Sequence, residues 1–151
     1  DAAELEGEAP PRRLKLLYEH EEKGPVMSLA SIQGLLLAGV GSKLSIYSYA
    51  GANLLPVGFF NVGFHIASIA TLKNYVLVGD LHRGLHLLKW HDRTFHLVSQ
   101  FTSTGSTYAC DFIMDETAAL HFVLAEEESR LRIFGFSRQD SESGDGAFLL
   151  P

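Results

Sequence analysis

Apolar residues along this chain fall in short runs or alternate with polar residues, and turn-forming residues separate these segments. No segment shows the spacing of three and four residues that an amphipathic helix requires, so no long helix is predicted. Alternation with a period of two, bounded by Gly, Asn, Asp and Ser, is typical of short β-strands. We therefore expect an all-β fold.

Three stretches repeat one plan, in which an apolar run, a polar or glycine break and an alternating run ending in aromatic residues follow one another. They are Leu35–Tyr49, Tyr75–Trp90 and Leu120–Phe136. If Leu44, Leu85 and Leu131 are equivalent, the repeats are 41 and then 46 residues long. A four-stranded propeller blade repeats about every 40–45 residues. The repeat predicts about three WD40-like β-propeller blades.

The strands expected in each repeat are short and separated by turn residues. The first repeat has Val26–Ser31, Leu35–Val40, Lys43–Tyr49 and Leu54–Phe60. The second has Ile66–Leu72, Val76–Gly79, Gly84–Trp90 and Phe95–Phe101, and the third has Tyr108–Met114, Leu120–Ala125 and Arg130–Phe136. The fourth strand of the third repeat is missing or reduced to Phe148–Leu150. Alternation over Arg13–Tyr18 predicts one more strand, the outer strand of another blade.

This pattern divides the chain into an acidic lead-in (1–11), propeller blades (12–136) and a polar linker with a final strand (137–151). Propellers have about four to eight blades, so three blades do not close a ring. The chain also begins at Asp1 without an initiator methionine. We expect a piece of a longer propeller, with the remaining blades supplied by the parent chain or by other segments.

Composition narrows the classes of function. Hydrophobic residues make up 46% of the chain and charged residues 20%, which is enough to build a core. The net charge of −6 disfavours autonomous nucleic-acid binding. The uncharged stretch Leu44–Leu72 lacks a sustained apolar run, so no membrane span is predicted. One cysteine and no Asn-x-Ser/Thr sequon suit a reducing compartment.

Four histidines, His82, His86, His91 and His96, suggest a metal site. On one extended strand, however, His82 and His86 would lie roughly 13 Å apart, too far to share a zinc ion. We expect these histidines at blade edges and turns, with no metal. The glycines of Gly39-Val-Gly41-Ser-Lys43 lack the spacing of a phosphate-binding loop and predict a hairpin turn, so no cofactor is expected.

The sequence shows no group of residues with the spacing of a catalytic site. Cys110 lies in an apolar strand, where burial keeps a thiol protonated and inert. Pairing Asp80 with His82 as a dyad would assume a geometry that the spacing does not supply. The cluster Glu126–Glu128 at a turn predicts a solvated acidic patch.

Direct RNA binding would require five cations to converge on one surface, namely Lys43, Lys89, Arg93, Arg130 and Arg132. Aromatic residues recur near the end of the third strand of each repeat. They are Tyr47 and Tyr49, Trp90, and Phe134 and Phe136. Such recurrence favours packing between blades over a base-stacking surface, which would need exposed rings interleaved with basic residues.

Arg13–Val26 and Leu37–Tyr47 resemble the start of the C-terminal propeller and the blade signature of a known family, the large subunits of the cleavage and polyadenylation specificity factor. Further similar segments are Ile69–Asp80, Leu85–Trp90 and Asp111–Asp115. The resemblance covers roughly residues 12 to 137. The same superfamily includes the DNA-damage-binding large subunit and a splicing-factor 3b propeller subunit.

The resemblance implies a nuclear, non-enzymatic scaffold. Such a scaffold would hold protein subunits of a multi-subunit RNA-processing complex while they recognise the polyadenylation signal, so its RNA contact would be mainly indirect. An alternative is an adaptor of the damaged-DNA-binding and ubiquitin-ligase branch, or of the splicing factor 3b branch. Direct RNA binding is a third hypothesis.

Overall fold

The computed structural model describes residues 12–136, and all its regular elements are β-strands in three antiparallel sheets. Blade 1 contains β1 (Val26–Ile32), β2 (Leu35–Val40), β3 (Lys43–Ala50) and β4 (Asn53–Asn61). Blade 2 contains β5 (Ile66–Leu72), β6 (Tyr75–Asp80), β7 (Gly84–His91) and β8 (Thr94–Phe101). Blade 3 contains β9 (Thr107–Met114), β10 (Leu120–Glu126) and β11 (Arg130–Gly135). The predicted all-β fold of propeller blades is confirmed.

Tight turns explain why these segments form hairpins. Gln33 and Gly34 join β1 to β2 with φ values of 50° and 78°, and Asp92 and Arg93 join β7 to β8 with φ values of 50° and 59°. Two successive residues with positive φ give the turn a twist that matches the right-handed twist of paired strands. Strands within each blade therefore pair with their sequence neighbours.

Antiparallel pairing divides each blade into two ends. One end carries the β2–β3, β6–β7 and β10–β11 turns together with the segments that join successive blades, residues 62–65 and 102–106. We call it the connector end. The opposite end carries the remaining hairpin turns, and we call it the hairpin end.

The hydrophobic core lies between blades. Leu37, Leu44 and Ile46 of blade 1 belong to one buried cluster with Val76, Leu88 and Trp90 of blade 2. A second cluster joins blade 2 to blade 3 through Leu77, Leu85, Leu87, Phe122, Leu124 and Phe134. Because each four-stranded sheet is covered by a neighbouring sheet, its stability depends on face-to-face packing.

Inner strands of adjacent blades are joined by a repeated serine contact. The hydroxyl oxygen of Ser28 in β1 accepts a hydrogen bond from the Ile69 amide in β5 (3.0 Å). One blade later, the hydroxyl oxygen of Ser68 accepts one from the Cys110 amide in β9 (3.2 Å). Each blade is thereby held in register with the next at the same strand position.

Two glycines mark where the next blade approaches most closely. A Cβ atom on Gly39 would lie 2.5 Å from Cγ2 of Ile66, and one on Gly79 would lie 3.0 Å from Cγ2 of Thr107. Gly39 and Gly79 stand opposite Leu44 and Leu85 in their blades, and the residue opposite Leu131 in blade 3 is Ala125. Glycine is thus present where the first strand of a following blade leaves no room for a side chain.

The predicted strand over Arg13–Tyr18 is wrong, since the structure has no strand within residues 12–25. A strand requires a hydrogen-bonded neighbour, and the described residues offer none to this segment. We call residues 12–25 the N-terminal arm. Its side chains Leu16, Leu17 and Tyr18 instead line a cleft on blade 1 together with Leu36, Tyr49 and Leu54. The lead-in 1–11 and the segment 137–151, with Phe148–Leu150, lie outside the described residues.

Replacing Gly39 with alanine is expected to destabilise the protein by about 1–3 kcal/mol, the usual cost of overpacking a core. The new methyl group would overlap the branched side chain of Ile66, which is fixed in the blade 1–blade 2 core. Urea unfolding followed by circular dichroism measures the effect. Gly24→Ala is the matched control, because its Cβ would meet Val40 at an ordinary 3.5 Å. Equal stability of the two variants would contradict this account of the blade contact.

Candidate interaction surfaces

The connector end is organised by a backbone hydrogen bond that recurs in all three blades. In each blade the amide that follows the second strand donates to the carbonyl that precedes the first strand. The three bonds are Gly41 to Pro25 (3.3 Å), Leu81 to His65 (2.7 Å) and Glu127 to Ser106 (2.9 Å). The end of the N-terminal arm therefore occupies the same position in blade 1 as the connectors occupy in blades 2 and 3.

Asp80, the last residue of β6, binds two loops at once. Its carboxylate is fully buried and accepts hydrogen bonds from the amides of Phe64 (2.7 Å), His65 (3.3 Å) and His82 (3.1 Å). Hydrogen bonds to a buried charged group are among the stronger ones in proteins. The connector 62–65 and the β6–β7 turn are consequently held in one fixed arrangement.

Glu126 is the equivalent residue of blade 3, since it is also the last residue of a second strand. The prediction of a solvated cluster at Glu126–Glu128 is wrong for Glu126, which is buried. Its carboxylate accepts a hydrogen bond from the Ser103 hydroxyl and lies 2.7 Å from Nε of Arg132. The alternation of β10 places Glu126 on the inward side with Phe122 and Leu124. The alternation of apolar residues with a period of two, continued from Phe122 and Leu124 to Glu126, was the sequence signal for the burial of Glu126.

Phe64 and Arg83 were missed by sequence reasoning. Phe64 is 51% exposed on the connector, and its ring centroid lies 4.6 Å from that of His82. The aliphatic part of Arg83 packs over Gly63, where a Cβ atom would lie only 2.7 Å from Cγ of Arg83. An aromatic residue in a connector rather than in a strand was the available signal.

The structure does not bring the five predicted RNA-contact cations together. Lys43, Arg130 and Arg132 lie in the first residues of third strands, at the connector end. Lys89 and Arg93 lie towards the hairpin end, which is about 16 Å away along a strand. Arg130 pairs with Glu128 and Arg132 with Glu126. RNA contact through these five residues stays a prediction.

Blade 3 presents an uncovered apolar face. Leu131 and Ile133 of β11 are 69% and 48% exposed. Strand register makes them equivalent to Leu44 and Ile46 in blade 1 and to Leu85 and Leu87 in blade 2, all of which are buried against the following blade. The same face of blade 3 therefore lacks a covering sheet among the described residues.

Two of the recurring aromatic residues pack between blades, as predicted, since Trp90 belongs to the blade 1–blade 2 cluster and Phe134 to the blade 2–blade 3 cluster. Tyr47 is buried and Tyr49 is half exposed, and both lie beside the N-terminal arm rather than against another blade. Tyr47 also donates a hydrogen bond to Glu22 of the arm and contacts the His20 ring edge-on. The arm is thereby attached to the side of blade 1 that faces away from blade 2.

The titratable residues considered for chemistry occupy unlike environments. Within residues 12–136, no group of three or more His, Cys, Asp or Glu side chains could hold a metal ion. The expectation of edge positions is wrong for His86, which is buried in β7, and this burial lowers its pKa. Cys110 is buried as predicted, with its sulfur near the carbonyl oxygens of Ser68 (3.8 Å) and Leu77 (3.7 Å). Burial raises the pKa of the Cys110 thiol to about 12.

Comparison with known proteins identifies the family. A family model described as the CPSF A subunit region matches residues 4–150. The chain belongs to the CPSF A subunit region family. No helix among the described residues is long and apolar enough to cross a membrane.

Several relatives of this member of the CPSF A subunit region family share a name. A protein of Oryza sativa subsp. japonica, named probable cleavage and polyadenylation specificity factor subunit 1, is 32% identical over 136 residues, covering 89% of this chain and 9% of that protein. Cleavage and polyadenylation specificity factor subunit 1 of Drosophila melanogaster is 26% identical over 91% of this chain and 10% of its own length. The protein with the same name in Arabidopsis thaliana is 28% identical over 89% of this chain and 9% of its own length. The chain spans about a tenth of the length of these curated relatives.

Asp80→Ala is expected to destabilise the fold by at least about 2 kcal/mol, because three backbone amides would lose a buried, charged acceptor. Amide hydrogen exchange of Phe64, His65 and His82 should accelerate more than exchange in the blade 2–blade 3 core. Asp92→Asn is the control, since Asp92 is an exposed turn residue whose positive φ asparagine also tolerates. Unchanged exchange in Asp80→Ala would refute the bridging role of the carboxylate.

The Cys110 thiol is expected to resist labelling by Ellman's reagent in the folded chain at pH 8. Its raised pKa lowers the thiolate fraction about a thousandfold, and burial blocks access. The unfolded chain ionises near pH 9, so the stability that this thiol contributes is complete below pH 9 and is lost between pH 9 and about 12. Labelling rates with and without urea measure the protection, and rapid labelling without urea would contradict it.

Proposed function

We propose that this chain is a sector of a non-enzymatic β-propeller scaffold in the nuclear machinery for pre-mRNA 3′-end cleavage and polyadenylation. The scaffold holds the protein subunits that recognise the polyadenylation signal. The names of the relatives support assignment to this machinery over the adaptor functions of the wider superfamily.

The observation that carries the proposal is the uncovered face of blade 3. Leu131 and Ile133 repeat, in register, the residues through which blades 1 and 2 bind their neighbours. Burying both side chains removes their remaining exposed apolar surface from water and contributes roughly 1–2 kcal/mol for each. Further blades of the parent chain supply the covering sheet, so this chain acts as part of a larger rigid body.

The charge distribution supports a protein-binding role with mainly indirect RNA contact. The chain carries a net charge of −6, and two of its connector-end arginines, Arg130 and Arg132, are paired with glutamates. Rigid blades with loops at both ends present side chains to protein partners without rearrangement. Burial of Cys110 in its protonated state supports the non-enzymatic part of the proposal.

Affinity purification of the full-length parent protein tests this function. We expect mass spectrometry to identify subunits of the cleavage and polyadenylation machinery, and depletion of the parent to reduce polyadenylation of a reporter transcript. The parent protein carrying both Leu131→Asp and Ile133→Asp should restore less polyadenylation of the reporter in depleted cells and should co-purify with fewer subunits of the machinery. The reason is that charged groups on an interblade face prevent its burial.

Leu97→Asp is the control, because Leu97 is similarly exposed (48%) on β8, the outer strand of blade 2. This variant should co-purify with the same subunits as wild type and should restore polyadenylation of the reporter. Purification with ubiquitin-ligase or splicing factor 3b subunits in place of polyadenylation subunits would overturn the proposed function.

A further inference from the structure

An apolar cavity lies between blades 2 and 3 near the hairpin end. Its volume is about 320 Å³, which is more than one aromatic ring needs. The lining residues are Tyr75, Leu87, Phe112, Leu120, Phe122 and Phe136. Protein interiors are close-packed, and the wall of an open space loses contacts that a filling side chain would make. The cavity is therefore a binding site for an apolar group.

The junction of blades 1 and 2 is filled at the equivalent position. Strand register makes Leu131 of β11 equivalent to Leu85 of β7. Five residues further on, Phe136 therefore corresponds to Trp90. Phe95 of β8 packs on Trp90 with ring centroids 4.6 Å apart, and both belong to the blade 1–blade 2 cluster. The fourth strand of blade 2 thus supplies the ring that closes its junction with blade 1.

The outer edge of β11 leads to this cavity. In blades 1 and 2 the third strand pairs with a fourth, β4 or β8, whereas β11 pairs only with β10 among residues 12–136. A strand edge presents backbone amide and carbonyl groups that another strand can bind. Phe136, which directly follows β11, lines the cavity. One strand paired with this edge could therefore place a side chain in the cavity.

The sequence after Phe136 contains a segment of matching chemistry. Ten polar or glycine residues, 137–146, precede the apolar run Ala147-Phe148-Leu149-Leu150. Phe148 is the only aromatic residue in 137–151. It follows Phe136 by twelve residues, which can span up to about 40 Å, whereas paired strands lie about 5 Å apart. The polar stretch is long enough to bring the apolar run back along β11.

We propose that Ala147–Leu150 pairs with the outer edge of β11 as the fourth strand of blade 3 and that the Phe148 ring fills the cavity between blades 2 and 3. Phe148 then has the role that Phe95 has one blade earlier. Its burial removes apolar surface of the ring and of the cavity wall from water. Residues 137–146 form the connecting loop, at the position of the short β3–β4 and β7–β8 turns.

The observations favour this segment over a second copy of the chain or a partner protein. Either of these would have to supply both a strand and an aromatic residue, and association would cost translational and rotational freedom. Ala147–Leu150 supplies both and is already tethered to β11. The proposal concerns the closure of blade 3 and does not depend on the proposed function.

Photo-crosslinking of the full-length parent protein, purified with its partner subunits, tests the proposal. The photo-reactive analogue p-benzoylphenylalanine replaces Phe148, and mass spectrometry identifies the peptides to which it crosslinks. We expect crosslinks within one chain to peptides that contain residues 75–87 of blade 2 and 112–122 of blade 3. The matched control has the same analogue in place of Ser141 in the polar stretch, and it should crosslink to neither peptide.

Hydrogen exchange in the same full-length protein gives a second measurement that needs no analogue. Phe148→Ala should accelerate amide exchange of β11 by at least about tenfold, because truncating a buried ring destabilises the strand that it holds in place. Phe148→Leu keeps most of the apolar volume and should retain most of the protection. Leu97→Ala is the control, since Leu97 is an exposed residue of the outer strand of blade 2, and it should leave exchange of β11 unchanged.

Three outcomes would overturn the proposal. A crosslinked product of twice the mass of the chain would indicate that a second copy occupies the cavity. Crosslinks from position 148 to a partner subunit or to another part of the parent would place Phe148 elsewhere. Exchange of β11 that is the same in Phe148→Ala and wild type would show that Phe148 does not hold this edge.

Discussion

Face-to-face burial of apolar side chains between blades is the interaction on which this structure depends. Each sheet is only three or four strands wide, and its apolar faces must be buried against another element. Both buried clusters lie between adjacent sheets, and the glycines at positions 39 and 79 permit the approach that this packing requires. The exposed apolar residues of blade 3 occupy the same register positions as residues that are buried against the following blade in blades 1 and 2. The same packing requirement therefore applies to this face of blade 3.

Once blades pack, a buried carboxylate at the end of a second strand anchors the connector that precedes that blade. Asp80 and Glu126 do this from equivalent positions, but their partners differ. Asp80 accepts backbone amides and leaves Arg83 unpaired, whereas Glu126 is neutralised by Arg132. One structural position therefore has two electrostatic environments, with an unpaired arginine at the first junction and a glutamate–arginine ion pair at the second. The two junctions differ in this way without any change of backbone architecture.

Local pattern was sufficient to place most strands. β4 was predicted over Leu54–Phe60 and runs over Asn53–Asn61, since alternation and turn residues act over a few positions. The N-terminal arm shows where this reasoning fails. Arg13–Tyr18 alternates like a strand, but strand formation depends on a hydrogen-bonding neighbour, which local alternation does not specify. The candidate surface was harder to predict than the fold, because convergence of Lys43, Lys89, Arg93, Arg130 and Arg132 depends on which end of a blade each residue occupies.

The sequence by itself determined the strand order, the hairpin turns and the length of the blade repeat, because these depend on period-two alternation and on turn chemistry within a few residues. Only the tertiary structure decided which faces are covered and which charges are buried. Glu126 lies in a run of three glutamates, yet the packing of β10 against blade 2 turns it inward while Glu127 and Glu128 remain in solvent. Phe64 is exposed for the converse reason, since it lies in a connector bound by Asp80 from the following blade. Burial is set by neighbours that are distant in sequence, and those neighbours are known only once the blades have packed.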